Sequence, residues 1–455
     1  MNAVAVPRRY VAVIALGTLL NPLNSSMIAV ALVDLEHAFG VGFGTASWLV
    51  SGFYLAACVG QPLMGRIADR FGPRRVYVAG LVIVCLAGAA APFAPGFTVV
   101  LLCRIVQAVG TSAAFPAGLS LIRRVAGSAA PPSGALGTIA VANSASAAFG
   151  PVLGGFLVAF VGWQGIFLVN VPLTLVTLVL ALRVLPADGP APARTEAGLV
   201  RLLDPLGIVL FSGTLISLLA FLLALPDRPL WILLPVTAVA GVLLVLWERR
   251  APTPFLDVRG FVRSPALTGV LGQQAAIQFV FYGVFYGLPL WLEQVRGYPT
   301  EQAGLLMLPV AALGVLVTPV AARLVTRFGP RLPLLLGSIG LLAGTLLLLT
   351  LDDATSVAGI VAVAAVIGLP NGLNNMGLQA ALYTAAPPDA TGVAAGLFQT
   401  ARYVGAILST ALIGLLLSPD LSARGLHRVA VVIAALAVLL VVAAFVTSRR
   451  RASTA

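Results

Sequence analysis

A small set of polar side chains in this sequence could do chemistry, and their spacing sorts them. Asp69 stands among arginines in the run Gly65-Arg66-Ile67-Ala68-Asp69-Arg70-Phe71-Gly72-Pro73-Arg74-Arg75. A carboxylate there can accept hydrogen bonds from a helix N-terminus. The arginines can pair with it and with lipid phosphate, and Gly65 and Gly72 permit a tight turn. Such a bond set can latch one conformation of a moving protein. Arg104 and Arg402 fall inside apolar runs. A guanidinium in that setting needs a wet cavity or a partner. Amides recur in similar runs: Asn21, Asn24, Asn143, Gln274, Gln278, Asn371, Asn375 and Gln399. Gln274, Gln278 and Tyr282 repeat every four residues and so share one stripe of a helix. Buried amides need partners, and ligand cavities are apolar and aromatic with a few placed polar groups. These amides, with Tyr282 and Arg402, are the candidate cavity lining. Two carboxylates are candidates for carrying a proton: Asp34, and Glu293, which stands beside Trp291 and one turn after Pro289.

Other chemistry is not expected. Cys58, Cys85 and Cys103 all lie in apolar runs, and His37 and His427 lie far apart. That pattern fits no disulfide framework and no metal site. No phosphate-cradling loop is present, so ATP coupling within this chain is not expected. Nor do Asp, His or Cys cluster as a membrane-embedded enzyme would need. Neither cofactor nor metal is expected.

The elements that position these residues follow from composition. The chain has 455 residues, 60% hydrophobic and 9% charged, with a mean hydropathy of +1.04. Soluble domains carry about 25% charged residues, so lipid is the main solvent. Reading from one polar break to the next gives fourteen candidate membrane helices of about 20 residues each. They are α1 (10–33), α2 (46–64), α3 (75–94), α4 (97–117), α5 (134–158), α6 (165–185), α7 (204–225), α8 (229–247), α9 (267–292), α10 (302–322), α11 (331–351), α12 (356–377), α13 (391–416) and α14 (426–447). Arg104 then lies about 10 Å below the outer end of α4.

The net charge is +12, and every basic residue is Arg. On a soluble protein this would suggest nucleic acid; the placement of the charge excludes that partner. With the N-terminus inside, twenty-one arginines fall on the cytoplasmic side and four outside, Arg228, Arg296, Arg424 and Arg428. The bias orients the protein with both termini cytoplasmic and its basic surface against anionic lipid. Arg8 and Arg9 before Val11–Leu20 resemble a signal peptide, but no small-residue cleavage site follows. The run is expected to be the first span.

An internal repeat divides the chain. Residues 65–74 recur 257 positions later as Ala322-Arg323-Leu324-Val325-Thr326-Arg327-Phe328-Gly329-Pro330-Arg331, with six of ten positions identical. Each copy follows a helix at the cytoplasmic side. The expected organisation is a six-helix bundle over 10–185, a Pro- and Ala-rich cytoplasmic linker over 186–203, two inserted helices over 204–247, and a second six-helix bundle over 267–447. Parallel repeats of this kind rock about a central site.

These motifs together resemble the major facilitator superfamily, within it the fourteen-span drug:proton antiporters, over essentially the whole chain. Gly65–Arg75 resembles the loop between the second and third helices, which implies a gating role for Gly65, Asp69, Arg70, Gly72 and Arg74. The second copy has Thr326 in place of the acid, so the latch is expected to be asymmetric. Arg104-Ile105-Val106-Gln107-Ala108-Val109-Gly110 resembles the fourth-helix motif, which implies a part for Arg104 in proton coupling. Gly137, Ser146 and Gly150-Pro151-Val152-Leu153-Gly154-Gly155 resemble the fifth-helix motif that accompanies exporters. Gly162–Pro172 and Gly297–Pro299 resemble structural segments of the same family, with Trp163 at the membrane interface. Asn24 departs from the pattern. The family usually has Asp there, and Asn cannot titrate. The resemblance implies an all-α, polytopic exporter of small molecules in the cytoplasmic membrane, working as a monomer on a proton gradient. A same-fold importer or metabolite exporter of other specificity and a proton-independent facilitator are the alternatives.

Overall fold

In lipid, backbone N–H and C=O groups must pair within their own segment, which leaves the helix as the element for apolar runs of this length. The computed structural model describes residues 6–46, 48–127, 132–189, 204–225, 229–251, 254–255, 264–417 and 420–449. Among these residues every regular element is helical. Most of the expected linker lies outside them, as do Arg194, Arg201, Arg228, Arg259, Arg263, Arg450 and Arg451.

Nine helices among the described residues are long and apolar enough to cross a membrane. A tenth is α5, whose parts Ser133–Ala147 and Val152–Val161 meet at 48°. Pro151 stands at that bend and removes a ladder hydrogen bond. The remaining four expected spans are helical but less apolar, shorter or broken. α8 is Leu233–Glu248, 16 residues. α2 (Trp48–Phe71) contains Gln61, and α13 (Thr391–Leu416) contains Gln399 and Arg402. α1 divides into Arg8–Thr18, Leu20–Met27, a 3-10 turn Ile28–Ala31, and Leu32–Phe39. Pro22 and the serines cause much of this: Ser25 and Ser26 both donate to the Pro22 carbonyl, at 3.0 and 2.8 Å, back-bonding that bends a helix. The architecture is therefore all-α and polytopic. The count of fourteen is reached only when these four are included.

The remaining helices are α3 (Pro73–Ala90), α4 (Phe97–Thr111 and Ala114–Ala126), α6 (Gln164–Leu168 and Asn170–Val184), α7 (Pro205–Ala224), α9 (Pro265–Gln294), α10 (Thr300–Phe328), α11 (Arg331–Leu347), α12 (Val357–Ala385) and α14 (Ala423–Arg449). The chain forms two compact units. The first comprises Met1–Leu215, Ala240–Arg263 and Ala386–Thr400; the second comprises Ile216–Val239, Ser264–Ala385 and Ala401–Ala455.

In the first unit α4 packs on α2 and α3, and α6 on α3 and α1. In the second α12 packs on α10 and α11, and α14 on α11 and α9. These are the same pairings shifted by eight helices, so the sequence repeat is also a repeat of packing. Its turns match as well. Gly72 and Gly329 both adopt positive φ, +107° and +75°, which glycine does without strain. Large apolar side chains point outward, as in Phe156 and Phe160, 60% and 81% exposed; these are lipid-facing surfaces. Trp163 is largely covered by neighbouring side chains. It is 9% exposed and stacks near Phe39, with ring centroids 5.4 Å apart, in the core that Met27, Ile28 and Phe167 also fill.

Candidate functional site

The Gly65–Arg75 segment ends α2 and turns into α3. Asp69 accepts from the backbone N–H of Gly392 at 2.8 Å and of Val393 at 3.0 Å, one bond to each carboxylate oxygen. These are first-turn donors of α13, and an anion there meets both unpaired N–H groups and the positive helix end. Ser120 of α4 adds a third bond at 3.0 Å. Arg123, one turn on, donates to the Ala386 carbonyl and the Thr391 hydroxyl at 2.8 and 3.2 Å. Arg70 is half-buried, and Arg74 donates to the Leu182 carbonyl at 2.6 Å. A cavity of about 530 Å³ opens here, lined by Asp69, Ser120, Arg123, Arg124 and Asp389 among others. In the second copy of the motif Thr326 donates to the Ala322 carbonyl of its own helix at 2.9 Å.

Beyond the Asp69 bonds runs a seam between α2 and the first half of α13. A Cβ at Gly392 would lie 2.5 Å from the Gly65 carbonyl, and one at Gly396 2.5 Å from Pro62 Cα. Thr400 donates to the Cys58 carbonyl at 2.7 Å. The contacts recur every four residues on α13 and every three or four on α2, and the glycines of α13 let the backbones touch in lipid.

Arg104 is fully buried. It donates to the Asn24 carbonyl at 2.7 Å, to Gln107 Oε1 at 2.7 Å and to the Leu49 carbonyl at 3.3 Å, and lies 4.2 Å from the centroid of the Phe53 ring. All these partners are neutral. Asn24, where the resemblance would place an acid, exchanges hydrogen bonds with Asn170 at 2.6 and 2.9 Å. Asn21 donates to Thr111 at 3.2 Å. On the Gly150–Gly155 segment, Gly150 lies against Ser26 of α1, and a Cβ at Gly154 would be 3.2 Å from Met27 Cα. Ser146 donates to the Leu19 carbonyl at 2.8 Å. Asn143 is half-buried on the same helix.

In the second unit, Gln274 and Gln278 are buried at 2% and 6% exposure. Arg402 donates to the Tyr282 hydroxyl at 3.3 Å. The Tyr282 and Tyr286 rings stack at 5.2 Å, and those of Phe281 and Phe285 at 5.6 Å. The four-residue stripe of α9 thus gathers amides, an aromatic ladder and Arg402. On α12, Asn375 accepts from Gln379 at 2.8 Å, and Asn371 faces Gly314 of α10. Gln399 is buried in the first unit. Asp34 is exposed, and Glu293 is half-buried next to the fully buried Trp291 and Leu292.

Several polar groups stand out that the sequence did not single out. Asn170 completes the amide pair. Asn374, 1% exposed, buries both amide atoms without a hydrogen-bond partner against Gly337. Asp188 caps α3, with bonds of 3.2 and 2.8 Å from the N–H groups of Arg74 and Arg75. Asp204, at a φ of +51°, accepts from Gly207 N, Trp247 Nε1 and Phe255 N at 3.1, 2.8 and 3.1 Å, beside the buried Glu248. Asn170 gave a prior signal within the Gly162–Pro172 segment, and Asn374 one among the amides of α12.

A fold of paired six-helix repeats with a charged turn after the second helix defines a multi-pass membrane transporter class. The family model of the Major Facilitator Superfamily matches residues 14–410, and the chain belongs to that superfamily. It is 37% identical over 418 residues to the uncharacterized MFS-type transporter YwoD of Bacillus subtilis, covering 91% of each chain. It is 30% identical to the tetracenomycin C resistance and export protein of Streptomyces glaucescens, over 89% of this chain and 75% of that one. It is 28% identical to the multidrug efflux pump LfrA of Mycolicibacterium smegmatis, over 89% and 79%. Among solved structures, the human organic anion transporter MFSD10 shares the fold with a TM-score of 0.68 at 17% identity, over 95% of this chain and 99% of that one.

Proposed function

We propose that this transporter exports drug-like or antibiotic small molecules across the cytoplasmic membrane by alternating access, as a monomer, with both termini cytoplasmic and protons as counter-ions. The observation that carries the export reading is the seat of α5 on α1. Gly150 and Gly154 bring the exporter-type segment against the Ser26 side chain and the Met27 backbone, and Pro151 stands at the bend of α5. The names of the Streptomyces and Mycolicibacterium relatives support a drug or antibiotic cargo. The Asp69 bonds to the start of α13 act as the releasable latch of the cycle. Glu293 is the proposed proton carrier, because Asn24 cannot titrate.

A second reading, a proton-independent facilitator, has an observation in its favour. Asn24 is committed to Asn170, and Arg104 bonds to the neutral Asn24 and Leu49 carbonyls and Gln107, so the first-helix site holds no proton.

Expression in a pump-deficient host, followed by a susceptibility panel, tests export. Raised resistance to at least one compound class is expected, and greater drug accumulation in the expressing cells would establish import instead. Reconstituted protein then separates the two coupling modes. An imposed pH gradient is expected to drive efflux by the wild type and not by Glu293→Gln. Equal efflux by both moves coupling to Asp34 or removes it.

A further inference from the structure

We infer that Asp188, just beyond α6, is a second acid of the latch: a positioning residue that fixes where Asp69 points. The inference rests on the latch reading of Asp69 given above. The Asp188 side chain is only 2% exposed. Its two oxygens take the N–H groups of Arg74 and Arg75 at 3.2 and 2.8 Å. These are first-turn donors of α3, and the residue before that helix, Gly72, has no side chain to cap them. Arg124 adds an ion pair at 3.0 Å. Gly72 packs directly on the carboxylate, so that a Cβ there would overlap it. A reverse bond runs from Arg74 to the Leu182 carbonyl in the last turn of α6. The α2–α3 turn and the end of α6 therefore grip each other.

The same contacts reach Asp69. Gly72 lies three residues after it, in the turn that Asp188 covers. α4 holds both acids within little more than one helical turn. Ser120 donates to Asp69, Arg123 to Ala386 and Thr391, and the next residue, Arg124, to Asp188. In Asp188→Asn one carboxylate oxygen becomes an NH2, so one α3 donor loses its acceptor and Arg124 loses its ion pair. The change loosens the Gly72 turn and the end of α4, and with them the aim of Asp69 and the hold of Ser120 and Arg123. A cap that served α3 alone would not change access to α13.

The test reads that access. Cys58→Ser, Cys85→Ser and Cys103→Ser remove the native thiols, and Ala394→Cys places one thiol in the first turns of α13, where the residue is 2% exposed. Everted vesicles are treated with a membrane-impermeant maleimide. Asp69→Asn and Asp188→Asn are both expected to raise the labelling rate about fivefold, the equilibrium shift that one lost helix cap produces. Arg124→Gln is expected to move it in the same direction, and Asp188→Glu to stay near the parent. The Arg124 side chain is 49% exposed, so that variant keeps the test alive should Asp188→Asn fail to accumulate. Parental labelling in Asp188→Asn or Arg124→Gln, with Asp69→Asn raised, makes Asp188 a local cap and ends the inference. Parental labelling in Asp69→Asn ends the latch reading and this one with it.

Discussion

Asp69 and the Asn24–Asn170 pair show how differently a charge and an amide behave among these helices. Asp69 binds two N–H groups of α13 with separate oxygens. In Asp69→Asn one of those N–H groups faces an NH2 instead, and the negative charge at the helix end is gone. We expect well-inserted protein with transport abolished; full transport by well-expressed mutant would reduce the segment to a topogenic loop. The amide pair makes the opposite demand, since it carries no charge yet leaves costly orphans when broken. Asn170→Ala removes the partner of a fully buried Asn24 and should cost about 1–3 kcal/mol. Asn24→Leu combined with Asn170→Leu should cost less than that, because no polar atom is then stranded. Thermal unfolding of the three proteins in detergent decides it: a double variant worse than the single one contradicts the account. Asp69, Arg104 and Asn24 were legible in the sequence because each sits in a local motif. Their partners were not. Asn170 lies 146 residues from Asn24, and neighbours at that range are set by packing alone.

At the scale of elements, glycine carries most of the information. The seam between α2 and α13 depends on Gly65, Gly392 and Gly396 having no Cβ. Gly396→Val would push into the Gln61–Pro62 backbone, and such overpacking costs about 1–3 kcal/mol. We expect lowered transport with a weakened seam, read as faster labelling of a cysteine in the same stretch of α13; unchanged labelling would show that the helices can shift to make room. The inserted helices are held at their base by another device. Asp204→Ala deletes three hydrogen bonds, from Gly207, Trp247 and Phe255, and should lower the melting temperature of the purified protein by the equivalent of about 1–3 kcal/mol. An unchanged melting temperature would make those bonds ornamental. Helix existence, the repeat and the bend at Pro151 could all be read from hydropathy and proline. The breaks in α1 could not, since they come from Ser25 and Ser26 bonding to Pro22. Nor could the roles of Asp188 and Asp204, which stand where composition says only that a helix has stopped or not yet begun.

For the whole molecule, charge placement makes two further statements that can be checked. Reporter fusions after Ala187 and after Asp353 should lie inside and outside respectively, following the arginine bias; the reverse result would overturn the orientation. No Asp or Glu lies in the middle of an expected span, whereas Arg104 and Arg402 lie within spans. Cargo that is neutral, zwitterionic or anionic should therefore be favoured over lipophilic dications. A susceptibility panel in which quaternary cations alone are exported would refute this. The seam of α2 and α13 has one more consequence, for genetics. Selection of a random-codon library on antibiotic should empty positions 65, 392 and 396 of every residue but glycine, while neighbouring codons on the lipid side of the same helices drift. Trimming the side chain at position 61 or 62 of α2 should not rescue a change at Gly396, because the overlap is with main-chain atoms there. The contact between the two helices would then be recorded in three codons that admit glycine alone, before any new structure is determined.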